Sequence, residues 1–414
     1  MDDCICPGAE KQRLGSAPRV HEVIQSQWRS QSLYPALVIE IMSTRGPSEL
    51  LPNLRRVHSD GQRTLRHLHL FLHPNVTGFA VSHQSGNPLL FSLPTKTPSI
   101  THISLSEEMV VFDEGDDSHA ITMLAEALPG LSSLESLTLL IYWFTPTMVE
   151  AAASCAHLAG LSTATLDGDR DDINPFEYDQ LYSLSLRDDR FLVLHFLSII
   201  LPFYHMAEFI SQGHHFNALT RFKAESPYSI IDLHEYKEVL SALSASCSGL
   251  ESITLSTAQP RENVAEHNTI TYRDLSTVTR LTALQSIGIY HTMLQFVAED
   301  VIAIARVLPN LTDLSLNPVP DVAAASTLYV SILLPLHDLC SNLILLGLYL
   351  NAADEHIPPP PPIDEELRQA VHEKMEFARL RKLTVWLSSL SSPVPLAVYL
   401  SSILSPGCVL SAEF

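Results

Sequence analysis

The sequence predicts an α/β fold made by repetition: one long parallel sheet, a row of helices along one side of it, and two open ends. Two observations carry that prediction. An apolar pattern (apolar, two residues, apolar, two residues, apolar, one residue, apolar) recurs along the chain, and a helix-like stretch stands ahead of many of its copies. Clear copies are Leu131, Leu134, Leu137, Leu139 and Leu308, Leu311, Leu314, Leu316. Leu281, Leu284, Ile287, Ile289 and Phe377, Leu380, Leu383, Val385 repeat it. Two copies begin with cysteine: Cys247, Leu250, Ile253, Leu255 and Cys340, Leu343, Leu346, Leu348. Tyr178, Leu181, Leu184, Leu186 fits as well. Leu51, Leu54, Val57, then Phe216, Leu219, Phe222, then Leu158, Leu161, Ala164, Leu166 are weaker copies. Val76, Phe79, Val81 and Ile100, Ile103, Leu105 lack a leading apolar residue.

Each part of the unit follows from its residues. The ending Leu-x-Leu has the two-residue period of a strand. Between the first two apolar positions stand Pro52-Asn53, Ala159-Gly160, Ser248-Gly249, Pro309-Asn310 and Ser341-Asn342. Gly and Asn there suggest a left-handed residue that ends a helix. Upstream, Ala298–Val307 places Val301, Ile304, Ala305 and Leu308 on one face, and Glu235–Ser246 does the same with Tyr236, Val239, Leu240 and Leu243. Residues 118–128 and 147–157 read likewise. A helix between successive strands makes those strands parallel. Copies arrive about 30 residues apart, inside the solenoid range. The expected architecture is therefore a leucine-rich-repeat solenoid, a ribonuclease-inhibitor-like horseshoe with the helices on its convex side. No single unit buries enough to fold alone, because ordering its backbone costs roughly 1–2 kcal/mol per residue.

The expected domain plan has three parts. Residues 1–19 are a polar, disordered tail, residues 20–50 a helical cap, and residues 51–414 the solenoid. A proline-rich loop at 357–363 interrupts it, with Asp364 capping the next helix. The longest apolar run, Phe191–Met206, is shorter than a membrane span, contains His195, Pro202 and His205, and reads as a buried helix.

The chain has 414 residues, of which 46% are apolar, and a formal charge of −21. It shows no concentrated Lys/Arg cluster of the kind phosphates require, so neither nucleic acid nor membrane is an expected partner. The acidity favours basic partners. The start, from Met1 to Glu10, has no apolar run, and the six cysteines are spread widely. Both features point to an intracellular protein, cytoplasmic or nuclear. Asp167–Asp172 begins like a calcium loop but has Asp172 where the turn glycine belongs and Tyr178 where the bidentate glutamate belongs. His205, His214 and His215 lack a carboxylate or thiol at ligand spacing. Cys247 and Cys340 fill repeat positions that leucine fills elsewhere and read as apolar core. No catalytic, cofactor-binding or metal-ligating set emerges, so the expected role is binding, not catalysis.

In each strand the residues between the buried ones face outward. The outward sets are Ser286, Gly288, Tyr290; Asp313, Ser315, Asn317; Leu345, Gly347, Tyr349; and Lys382, Thr384, Trp386. Aromatic rings on an open face commonly anchor interfaces. Tyr290, Asn317, Tyr349 and Trp386 are therefore the candidate partner-binding residues, with a protein partner on the concave face.

Leu50-Leu51-Pro52-Asn53-Leu54-Arg55-Arg56-Val57-His58, followed by Leu70-Phe71-Leu72-His73-Pro74, resembles a segment of fungal F-box proteins with C-terminal leucine-rich repeats. Leu308-Pro309-Asn310-Leu311 and Cys340-Ser341-Asn342-Leu343 are similar to their later units, and the likeness spans residues 35 to 400. It implies a substrate receptor whose repeats capture a protein and whose F-box docks on the Skp-type adaptor of a cullin-RING ubiquitin ligase. Tyr34–Ile41 carries a trace of such an F-box, so the resemblance makes residues 20–50 the remnant of one, the alternative to a helical cap. The alternative is a leucine-rich-repeat regulatory scaffold with no ubiquitin link. Asn351, after Leu348, stands where such repeats place an asparagine, and its scarcity in the other units suggests the long, helix-bearing subtype.

Overall fold

A computed structural model describes residues 22–24, 51–59, 68–69, 71–83, 89–107, 118–164, 191–212, 216–227, 233–257, 269–291, 294–317, 326–358, 377, 379–388 and 393–413. Among them one sheet of fourteen strands runs in strict chain order. The strands are β1 (Glu22–Ile24), β2 (Arg56–Ser59), β3 (Gly78–His83), β4 (His102–Glu107), β5 (Ser136–Leu140), β6 (Gly160–Ala164), β7 (Phe196–Ile200), β8 (Arg221–Ser226), β9 (Ser252–Thr257), β10 (Ser286–Tyr290), β11 (Asp313–Leu316), β12 (Leu345–Asn351), β13 (Lys382–Ser388) and β14 (Val409–Glu413). Every pairing is parallel, and the sheet does not close into a barrel. The helices are α1 (Leu89–Lys96), α2 (Ser118–Ala127), α3 (Pro146–Ala153), α4 (Phe203–Ser211), α5 (Leu233–Ser246), α6 (Tyr272–Leu275), α7 (Ala298–Val307), α8 (Leu333–Leu339) and α9 (Pro393–Ile403).

The register explains the sequence pattern. The third apolar position of each copy forms one row: Val57, Phe79, Ile103, Leu137, Leu161, Leu197, Phe222, Ile253, Ile287, Leu314, Leu346, Leu383, Leu410. All are buried except Leu410 on β14, the edge strand of the described sheet. Together with helix residues such as Val239, Val301 and Ile304 they make one continuous core. Thr163 takes an inward position among leucines. Its Oγ1 accepts the Ile200 amide at 2.9 Å, just beyond the point where the β6–β7 pairing stops at Ser162 and Ser198. That bond satisfies a hydroxyl that would otherwise be costly to bury.

The first two apolar positions close a turn. The Leu311 amide donates to the Leu308 carbonyl at 3.2 Å, Leu250 to Cys247 at 3.1 Å and Leu343 to Cys340 at 3.1 Å. The first of the pair also ends the helix before it, as Leu308 does on Ile304 and Cys247 on Leu243. The turn residues are not left-handed. The non-glycine residues with positive φ among the described ones are Phe191 and Asn317, so the Gly/Asn expectation gives way to an ordinary turn that Pro and Asn both suit. Beyond each turn, one carbonyl receives two amides from the next unit. Thr312 and Asp313 donate to Gln285 at 2.7 and 3.0 Å, and Glu251 and Ser252 to Thr220 at 2.8 and 2.9 Å. The same fork recurs from Arg55 to Ile344.

Several expectations are corrected. Phe191–Met206 is not one helix but the turn Phe191–Leu194, strand β7 and the start of α4. Its apolar residues satisfy strand and helix in succession, and Pro202 separates the two. The copy placed at Leu158 begins three residues earlier, at Cys155, whose carbonyl accepts the Leu158 amide at 3.2 Å. The two copies without a leading apolar residue use buried His73 and Thr97 there. Strand β14 was not anticipated. Of residues 20–50, Glu22–Ile24 lie among the described residues and form a strand paired with β2. The Tyr178 copy, residues 167–172, His214, His215, Tyr34–Ile41, Asp364 and most of the proline run lie outside the described residues.

If the inward row carries the fold, Leu314→Ala should cost about 2–5 kcal/mol in urea unfolding. Ser315→Ala, on the opposite face of the same strand, should stay within about 0.5 kcal/mol of wild type.

Candidate protein-binding face

The open face of the sheet carries three outward rows. The first includes Phe196, Arg221, Ser252, Ser286, Asp313, Leu345 and Lys382. The middle row is made of small residues over most of its length: Ser198, Thr254, Gly288, Ser315, Gly347 and Thr384, with Lys223 the exception. The third row brings the expected aromatics into line. Tyr349 pairs in register with Trp386, and Tyr290 holds the equivalent place on β10 beside Ser256.

All three rings are half-buried. Gly288 makes room for Tyr290: a Cβ there would stand 3.1 Å from the tyrosine ring and 3.3 Å from the Thr254 hydroxyl. Gly347 precedes Tyr349 by the same two residues. Leu345, on the first row of β12, is 40% exposed, an apolar side chain without cover. The Ser326 hydroxyl donates to the Tyr349 carbonyl at 2.7 Å and accepts the Leu328 amide at 3.1 Å, tying the following segment to β12. Asn351 extends that tie through its Nδ2 to the Ser326 carbonyl at 3.4 Å, and its Oδ1 accepts the Ala353 amide at 3.0 Å.

Asn317 departs from its expected place. It falls in the tyrosine row by register but lies just past the end of β11, with φ at 43° and 6% exposure. Its amide donates to the Ile289 carbonyl at 2.7 Å. Asn317 thus shapes the exit from the sheet and offers little to a partner. Asparagine tolerates that backbone better than most residues.

Sequence reasoning missed the exposed pair Arg221 and Lys223 on β8. The signal was present in the weak copy Phe216, Leu219, Phe222, where a cation stands on each side of the inward Phe222. The Arg221 guanidinium sits 5.3 Å from the centroid of the Phe196 ring on the neighbouring strand.

Three thiols and one histidine are buried in their uncharged forms. Burial pushes the Cys247 thiol up to about 12 and those of Cys155 and Cys340 up to about 11, so none is a nucleophile near neutral pH. Burial pushes His291 down to about 4 and leaves it an uncharged core ring, edge-on to Tyr236. His205, noted in the sequence as a possible ligand, is buried in α4. No helix among the described residues is long and apolar enough to cross a membrane. No protein-family model matches the chain, and no curated protein matches it.

The strain at Asn317 can be tested directly. Asn317→Gly should leave stability within about 0.5 kcal/mol, whereas Asn317→Val should lose roughly 1–3 kcal/mol in urea unfolding, because a β-branched residue resists positive φ.

Proposed function

We propose that the chain is a protein-interaction scaffold of the leucine-rich-repeat solenoid type, with the open face as its concave binding surface. The supporting observation is the set of half-exposed rings on one outward row, Tyr290 on β10, Tyr349 on β12 and Trp386 on β13, with the uncovered Leu345 two rows away on β12. Aromatic groups on a rigid sheet lose little conformational freedom on binding and bury a large area each. The neighbouring glycines and serines let a partner's backbone approach closely. The C-terminal half of the face is therefore the primary docking surface.

Within that reading, the chain is the substrate-recognition part of an F-box type ubiquitin ligase receptor. The support is the likeness of Leu50–His58 and of the later Leu-Pro-Asn-Leu and Cys-Ser-Asn-Leu units to fungal F-box repeat proteins. The Skp-type adaptor contact falls to residues 20–50. A regulatory scaffold without a ubiquitin link is the alternative.

Affinity capture with mass spectrometry, run in parallel on wild type and on Tyr349→Ala/Trp386→Ala, tests the surface. The double variant should keep its thermal unfolding midpoint and lose the partners that wild type retains. An unchanged partner set would refute the assignment. Adding purified Skp-type adaptor to the same capture separates the two roles: binding that disappears when residues 1–50 are removed supports the receptor, and no binding by the full chain leaves the regulatory scaffold.

A further inference from the structure

We propose that β8 and its two neighbours form a carboxylate-binding patch that takes an extended acidic peptide segment of a protein partner. This deepens the docking role above and rests on the same open face, but at a different place.

The open face does not share the acidity of the chain. The chain as a whole stands at −21. At the described outward strand positions Arg56, Arg221, Lys223 and Lys382 stand against Glu22, Glu225, Asp313 and Glu413, so the two signs balance there. Asp313 already accepts a hydrogen bond from its neighbour, the Thr312 hydroxyl, at 2.6 Å. The two cations that stand together are Arg221 and Lys223, both exposed and both on β8. Neither makes an ion pair among the described residues. The carboxylates nearest in register are Glu225, two residues further along the same face, and Glu251, just ahead of β9.

Their surroundings suit an anion. Phe196 flanks Arg221 on one side and holds the guanidinium over its ring, which orients the fork before any ligand arrives. Ser252 flanks Arg221 on the other side, and Ser198 and Thr254 flank Lys223. These hydroxyls are half-exposed, short, and able to donate to a carboxylate. Across the strands on either side of Lys223 the described neighbours, Ser198 and Thr254, are short.

Geometry selects an extended partner. Alternate residues of a strand lie roughly 6.5 Å apart on one face, and carboxylates at alternate positions of an extended segment share that spacing. An acidic segment aligned with β8 therefore meets both cations at once. A nucleic acid is the poorer fit. Its affinity depends on many phosphate contacts, and two cations in so acidic a chain supply few. A short peptide senses chiefly the local charge, because ionic screening removes distant charges beyond about 8–10 Å.

Fluorescence anisotropy with a labelled peptide of alternating glutamate and serine tests the patch on the full chain. Wild type should bind it, and binding should weaken as salt rises. Arg221→Glu/Lys223→Glu should bind at least about tenfold more weakly. The milder Arg221→Ser/Lys223→Ser, checked for an unchanged thermal midpoint, should also weaken it and guards against misfolding of the reversed pair. A lysine–serine peptide should not bind. No binding by wild type up to millimolar peptide would overturn the proposal, as would equal binding by the serine variant or tighter binding of single-stranded DNA of equal length. Partner capture that still depends on Tyr349 and Trp386 while the acidic peptide fails would sink this patch alone. Failure of both would sink the docking surface itself.

Discussion

The arrangement depends on one carbonyl per unit. From Arg55 to Ile344, a single oxygen just ahead of each strand accepts two successive amides from the next copy, as Gln285 does from Thr312 and Asp313. That fork fixes both the spacing and the lateral alignment of neighbouring strands. It requires the residue to stand a set distance after the turn, which the Leu308–Leu311 type of closure provides. Once the fork is made, the side chains follow by alternation: Leu314 goes inward and Ser315 outward with no freedom to exchange. Burial then stabilises what the hydrogen bonds have aligned, because buried peptide groups left unpaired would be costly.

Much of this was legible in the sequence, and for a physical reason. Turn, strand and helix each demand apolar residues at fixed separations, so clear units such as Leu308–Leu316 and Cys340–Leu348 announce themselves. The predicted helix at Ala298–Val307 matches α7 end to end. The failures came where a polar residue was satisfied by its own local bond. Thr97 fills a leucine position because its hydroxyl donates to the Leu93 carbonyl at 2.9 Å. Buried His73 fills another, its Nδ1 accepting the Asn75 amide at 3.3 Å. The opposite failure came where everything was apolar. In Phe191–Met206 neither period stands out, so strand and helix could not be separated by pattern alone. The slip at Cys155 has the same origin, since Leu158 and Leu161 satisfy two overlapping frames.

The candidate face was legible in part. Alternation alone placed Tyr290, Tyr349 and Trp386 on the outer side of the sheet. It failed for Asn317, because β11 ends one residue earlier than its neighbours' pattern suggests and the chain turns inward there. Local charge was hidden by the whole-chain total. A net charge averages over loops, helices and strands, whereas a binding surface is composed of alternate strand residues. Arg221 and Lys223 are conspicuous only after the chain is sorted by face.

Because each described strand pairs with the strands adjacent to it in sequence, the sheet closes one connection at a time. The chain entropy lost in making each new pairing stays modest and nearly constant along the molecule, growing only with the logarithm of the segment length. A parallel sheet usually implies slow assembly through distant pairings. Here the same hydrogen bonds can be laid down progressively, zipper-fashion, from any strand pair that happens to meet first.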